Sequence, residues 1–344
     1  MARLKDIADK VGLSISTVSR VINHDPSFSI SLENRQRILQ VAEEYQYPVN
    51  EAPKVRESWP VEGSVGLVLL YNEVDEVEDP YYLSIRTNFK AECLRLGLET
   101  TEYYHYHHDR PLSLGDHSLL VFIGSGAFWT PLIEDQIKKT ATLPIIVDFR
   151  VKDFNADFVL TNFEELMDKA LSYLISQGFT KIGFIGSRDL NITQNSYIQD
   201  DRERFFSKIL TEKGLFNPGY VHISSNTTLA DGYSLAKEAV NRSDIPEVFF
   251  VETDTMAIGV IKALKENGFS VPEDISVISC NDIPEAEYLN PALTTMRINT
   301  HLMGIMAARL AAERVLLKRK TPIKLFVPNE LVIRQSCLPR KAQK

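Results

Sequence analysis

Apolar positions in the first 45 residues recur with the period of a helix in three short segments. Leu4, Ile7, Ala8 and Val11 fall at i, i+3, i+4, i+7, Val18, Val21 and Ile22 at i, i+3, i+4, and Ile38, Val41, Ala42 and Tyr45 repeat the first spacing. Each segment therefore carries one apolar stripe that a neighbouring stripe can cover. Gly12 stands where the first helix must stop, since glycine takes a left-handed cap without strain, and Ser14 can accept from the unpaired N–H groups that open the second. Ser31 is placed to cap the third segment, with Glu33 favourable to the dipole in its first turn. The spacing predicts a helix-turn-helix with a third helix closing a small core. After Tyr47 the chain turns to Pro48, Asn50, Pro53, Trp59, Pro60 and Gly63, which is linker chemistry.

From Val65 onward, short apolar runs alternate with longer amphipathic stretches. VGLVLL, LLVFIG, PIIVDF, KIGFIG, EVFFV and ISVIS read as parallel strands covered by helices on both faces. Helices are expected near 81–96, 131–139, 163–177, 200–213, 230–241 and 254–266, with Gly97, Gly178 and Gly268 each ending one. The fold class predicted is an all-α helix-turn-helix headpiece followed by a doubly wound α/β body. In such sheets ligands gather outside the carboxyl ends of the strands, here the loops after Leu70, Gly124, Asp148, Gly186, Thr253 and Asn281.

At 344 residues the chain exceeds one core. The boundaries expected are a headpiece at 1–47, a linker at 48–62 and a two-lobed body at 63–338. Within the body, 63–160 and 294–320 are assigned to the first lobe and 161–292 and 322–338 to the second, with LTTMRI as a strand linking them.

Composition narrows the function classes. A net charge of −8 argues against a membrane-surface role, and no apolar run nears the ~18 residues of a span. The start of the chain has helical polarity instead of a signal region, so a cytoplasmic protein is expected. Cys93, Cys280 and Cys337 are scattered and form no C-x-x-C, which speaks against a disulfide frame or zinc site. In 1–60, Arg3, Lys5, Lys10, Arg20, Arg35, Arg37, Lys54 and Arg56 balance Asp6, Asp9, Asp25, Glu33, Glu43, Glu44, Glu51 and Glu57. A basic footprint over the whole headpiece is absent, so affinity for DNA must come from locally placed donors, helix N-termini and dimerisation.

Those donors lie outside the stripe of the second helix: Ile15, Ser16, Thr17, Ser19, Arg20 and Asn23. Base readout falls to Ile15, Ser16 and Arg20, and backbone contact to Thr17, Ser19, Asn23 and Ser31. In the body, the strand-end loops hold planar polar groups and aromatics of the kind that line a small-molecule site. The candidates are Asp79, Tyr81, Tyr82, Asp148, Arg202, Thr253, Asp254, Asn281 and Asp282. Plainer roles compete: Asp254 as a helix cap, Asp282 as an organiser of its own loop, Arg202 as part of a solvated helix start, and one of the two tyrosines as core.

Catalysis is not indicated. No G-x-G-x-x-G opens a helix after the first strand, no serine sits in a G-x-S-x-G elbow, and no spacing selects Asp148 with Asp254 or Asp282 as a hydrolytic pair. In YYHYHHDR, His105 and His107 share a strand face and with His117 have the composition of a metal site, but a polar, tyrosine-rich strand end is the plainer reading. No cofactor or metal is expected.

The order LKDIADKVGLSISTVSRVIN followed by RQRILQVAEEYQY resembles the headpiece of the LacI/GalR family of bacterial transcription regulators. VETDTMAIGVIKAL, VPEDISVISCNDIPEAEY and PALTTMRI are similar to the family's sensor domain, whose fold is that of periplasmic sugar-binding proteins. DPYYLSIR, NDIP and NPALTTMRI are closest to the evolved-β-galactosidase, galactoside-responsive repressor branch. The resemblance implies a repressor of sugar-utilisation genes that binds a palindromic operator as a homodimer and is released by a small sugar such as galactose or a galactoside. By motif, Asp148, Arg202 and Asn281 match effector contacts, and Phe206 stands where a cleft aromatic would. The family's linker inserts an apolar wedge, usually leucine, into the minor groove. Here Val55 is the nearest counterpart, and Pro53 departs from the pattern. Two alternatives remain: the same architecture answering to a purine or phosphosugar corepressor, or a carbohydrate-binding protein whose headpiece contacts protein. The tail after Arg334 has no heptads, so no tetramerisation coil is expected.

Overall fold

The structure, a computed structural model, describes residues 4–22, 30–45, 47, 63–105, 114–138, 142–191 and 196–339. The chain divides into two units, Met1–Pro60 and Val61–Lys344.

In the first unit, helices Leu4–Val11, Ile15–Ile22 and Leu32–Glu44 meet over one small core. Ile7, Ala8, Val11, Val18, Val21, Ile22, Ile38, Val41 and Ala42 are all buried there, as their spacing requires. Tyr45 is the exception. It is 41% exposed, and Tyr47 packs against the core instead, because the helix ends at Glu44 and the stripe does not continue past it.

The second unit contains two sheets. The first has six parallel strands in the order Lys324–Val327, Asp157–Thr161, Ile145–Val147, Leu119–Gly124, Ser64–Leu70, Glu99–Tyr104. The second runs Asn329–Val332, Thr294–Ile298, Ser276–Asn281, Val248–Val251, Ile182–Asn191 and Ser196–Gln199, with Val221–Ser224 also on Ile182–Asn191. Ser64–Leu70 and Leu119–Gly124 are buried on both faces, which explains their unbroken apolar runs. Glu99–Tyr104 is an edge strand, half exposed and polar, and for that reason left no apolar run to read.

The division into lobes differs from the one expected. Thr294–Ile298 pairs with Ser276–Asn281 and belongs to the second sheet, not to a first-lobe segment 294–320. Lys324–Val327 pairs with Asp157–Thr161 and belongs to the first sheet, not to a second-lobe segment 322–338. The chain thus crosses between lobes near Asn162, Asn299 and Pro328, and the Thr300–Leu317 helix returns to pack on Tyr81–Leu96. The reason is edge pairing: an apolar strand joins whichever open edge its preceding helix leaves it beside, and sequence alone does not name that edge.

Helix packing fixes where the strand ends point. A methyl group on Gly259 would collide with the Leu229 carbonyl oxygen and one on Gly232 with that of Met256, so the two helices bearing these glycines touch backbone to backbone. This contact sets the Asp254–Glu266 helix with its N-terminus at the rim of the second sheet.

Candidate functional site

The headpiece helix Ile15–Ile22 is opened by Ser14, whose Oγ accepts the Thr17 N–H at 3.1 Å and meets the Ser16 and Thr17 hydroxyls at 2.8 Å. Gly12 ends the preceding helix at φ +73°. With Val18, Val21 and Ile22 turned inward, Ser16 and Arg20 are exposed and Ile15 is 47% exposed, an apolar side chain that burial does not explain. Together they form a face able to reach base edges and a thymine methyl. Ser31 caps the third helix by accepting the Asn34 N–H at 3.3 Å. Asn23 and Val55 lie outside the described residues.

In the body, the expected residues gather where the carboxyl ends of the two sheets face each other. On the first rim, Asp79 Oδ1 accepts the Tyr81 N–H at 3.0 Å, and the Tyr81 hydroxyl donates to Asp148 Oδ1 at 2.8 Å. Tyr82 stacks on Tyr71 with centroids 4.8 Å apart, and its hydroxyl also bonds Asp148. Asp148 ends its strand at φ +80°, a backbone state uncommon for a residue with a side chain. Burial pushes its carboxyl up to about 6, against the opposing pull of the Tyr81 hydroxyl and the Arg202 charge.

On the second rim, Arg202 lies in the first turn of the Asp201–Glu212 helix, which Asp200 caps. Its Nε and Nη2 donate to Asp200 at 2.8 and 3.0 Å, Nη2 also to Glu252 Oε1 and Nη1 to the Glu252 carbonyl, both at 3.0 Å. The Phe163 ring lies under the guanidinium at 5.1 Å. Asn281 ends its strand at φ +120° with its Oδ1 buried and without a hydrogen-bond partner among the described residues. The rims meet directly: the Thr255 hydroxyl donates to Asp79 Oδ2 at 3.1 Å, and burial raises the pKa of both Asp79 and Asp148 against the opposing charge of Arg202.

Two expected site residues are elsewhere. Phe206 is fully buried, packed on Phe184 at 5.2 Å, because it lies on the inner stripe of its helix; Phe163 is the aromatic beside Arg202. Asp254 is also fully buried: one oxygen accepts from Ser279 and Thr295 and the other from the Ile283 N–H at 2.8 Å, so it ties the Asn281 loop down from beneath. Burial pushes it up to about 7. Thr253, not Asp254, caps the helix, accepting the Met256 N–H at 3.1 Å. Asp282 is held by Arg297 at 2.6 Å and Arg334 at 2.7 Å, and so organises its own loop. Glu252, Thr255 and Phe163 escaped the sequence reading. Glu252 and Thr255 flank the chosen pair Thr253–Asp254, so the signal pointed to the right loop and the wrong members. Asp200 was visible only as part of a crowded acidic helix start.

Among the described residues no three His, Cys, Asp or Glu side chains converge as metal ligands, and His107, His108 and Asp109 lie outside them. No helix among them is long and apolar enough to cross a membrane.

Residues 3–50 match the family described as bacterial regulatory proteins, lacI family, and residues 171–337 match a periplasmic binding protein-like domain. Full-length relatives include the HTH-type transcriptional regulator GalR of Streptococcus thermophilus, 32% identical over 98% of this chain and 99% of the relative. The HTH-type transcriptional repressor MelR of Bacillus subtilis is 31% identical, with 98% of each chain covered. Among solved structures, the CelR–cellobiose complex superposes with a TM-score of 0.67 at 21% identity, covering 98% of this chain and 100% of that one. The lac repressor dimer bound to operator and the anti-inducer ONPF gives 0.66 at 18%, covering 98% and 99%.

Proposed function

The chain belongs to the lacI family of bacterial regulatory proteins, DNA-binding transcriptional repressors and not enzymes, and on that premise we propose that it represses sugar-utilisation genes and is released by galactose or a galactoside. The observation that carries the effector reading is the meeting of the rims at Asp148: Tyr81 of one lobe bonds to it and Arg202 of the other acts on it through charge. Carboxylate acceptors with an aromatic alongside are what adjacent hydroxyls and a sugar's C–H face require. The relatives include regulators named GalR and MelR and, at 30% identity, GanR of Bacillus subtilis, and the similarity of DPYYLSIR, NDIP and NPALTTMRI to the galactoside-responsive branch supports the choice of sugar.

A homodimer follows from geometry, since one recognition helix reads one half-site and a palindrome needs two. The sugar touches both rims and so binds one lobe angle better than another; the operator affinity it removes cannot exceed that difference in affinity. Ile15, Ser16 and Arg20 read bases, and Asp79, Tyr81, Asp148, Arg202 and Asn281 hold the effector, with Thr253 supporting its loop.

The test is a gel shift on DNA upstream of the protein's own gene and of neighbouring sugar genes, with galactose, lactose, melibiose, glucose, ribose and hypoxanthine added in turn. Release by a galactoside alone is expected. Arg20→Ala should weaken operator binding by about 1–3 kcal/mol and leave binding to random DNA in place. Absence of preference for any duplex over bulk competitor, or release by hypoxanthine and no sugar, rejects the reading.

A further inference from the structure

A guanidinium in a cleft recognises phosphate through N–H groups that are open to it. Four of the five N–H groups of Arg202 are engaged by Asp200 and Glu252. The acceptors are fixed in turn. Asp200 accepts the Arg202 N–H at 2.7 Å as the helix cap, and Glu252 accepts the Ser187 N–H at 2.5 Å and hydroxyl at 3.2 Å. A ligand therefore does not displace either one by a simple rotamer change. Asp79 and Asp148 complete the surroundings, and the neighbouring arginines are committed elsewhere, Arg204 to Asp201 at 2.6 Å and Arg188 to Glu203.

Among the described residues one cation, Arg202, thus faces four carboxylates. We propose that Asp200 and Glu252 are specificity-determining residues: by occupying Arg202 they make the cleft select an uncharged polyhydroxy ligand and refuse its phosphorylated counterpart. The inference rests on the reading of this cleft as the effector site. A neutral sugar loses nothing by the arrangement, because its hydroxyls donate to Asp79 and Asp148. A phosphate dianion must instead break the pairs on Arg202 or lie unpaired beside carboxylates in a weakly screened site. The weak screening is visible in Asp148, which burial pushes up to about 6 against the Tyr81 hydroxyl and the charge of Arg202.

The experiment measures thermal shift and titration calorimetry on the full chain with inorganic phosphate, galactose 6-phosphate and glucose 6-phosphate beside galactose and melibiose. The wild type should respond to none of the phosphates at millimolar concentration. Asp200→Asn/Glu252→Gln keeps a helix cap and an acceptor for Ser187, and should bind the hexose phosphates about 10-fold or more tighter than the wild type. Adding Arg202→Gln should abolish that gain, which a merely structural role for the carboxylates would not produce. If the double variant does not fold, Asp200→Asn alone should show a gain of about threefold. Wild-type binding of a hexose phosphate at least as tight as that of its parent sugar overturns the proposal. So does a folded double variant with no phosphate gain. If the wild type answers to no neutral sugar and the variant still gains phosphate binding through Arg202, the specificity role stands and the galactoside reading falls.

Discussion

The rims of the two sheets carry aspartates that look alike in sequence and have opposite fates. Asp148 ends the apolar run PIIV and Asp254 stands shortly after EVFFV, yet Asp148 faces the cleft through Tyr81 while Asp254 is sealed beneath the second rim. The difference lies in the element that each aspartate leads into. After Asp148 the chain leaves the strand at positive φ, which directs the carboxyl outward, whereas Asp254 already stands in the first turn of a helix pressed onto its neighbour by two glycines. A charge at a strand end is therefore a ligand group or a structural anchor according to the packing of the next element.

The comparison can be broken most severely at Asp254. Asp254→Ala strands the Ser279 and Thr295 hydroxyls and the Ile283 N–H, and should cost about 3–5 kcal/mol of stability in chemical denaturation. A loss under about 1 kcal/mol would remove it as an anchor. Asp148→Asn should do the reverse, lowering galactoside affinity by about 2–3 kcal/mol in calorimetry while stability moves by less than about 1 kcal/mol.

Acidity sharpens the contrast further. If the ionised Asp148 is what accepts the sugar hydroxyls, affinity should fall up to about tenfold per pH unit below its value of about 6, and Asp148→Asn should flatten the profile. For Asp254 the readout is stability and the sign is opposite. A carboxyl raised to about 7 in the fold, above about 3.9 when unfolded, contributes fully below the lower value and loses that contribution as pH rises through the upper. The stability advantage of wild type over Asp254→Asn should accordingly shrink between about pH 4 and 7. The smallest effect is expected at the bridge between rims. Thr255→Val removes its hydrogen bond to Asp79, worth about 1 kcal/mol, and should change by a few-fold the sugar concentration that releases DNA.

Much of this site was legible in the chain because strand ends are. Asp79, Tyr81, Asp148, Arg202 and Asn281 each come after a recognisable apolar run or open a recognisable helix, and a doubly wound sheet gathers such positions at one edge. Phe206 was misplaced because four residues beyond Arg202 keep it on nearly the same helix face but one turn, about 6 Å, further along the axis, and that step carries it from the rim into the core against Phe184. Glu252 was missed because a carboxylate next to a strand end reads as solvated, and its partners Ser187 and Arg202 lie 65 and 50 residues away.

By itself the sequence determined the three-helix headpiece with the polar face of its second helix, the alternation of buried strands and covering helices, and the loops that carry the candidate site. These are local matters of periodicity and capping, settled within a few residues of one another. Tertiary structure alone decided that Thr294–Ile298 and Lys324–Val327 join opposite sheets, that Asp254 is an anchor and Phe163 the aromatic beside Arg202, and that Asp200 and Glu252 hold that arginine. Such assignments depend on which edges and side chains distant segments bring together, and a pattern read along the chain carries direction and spacing but not the partner.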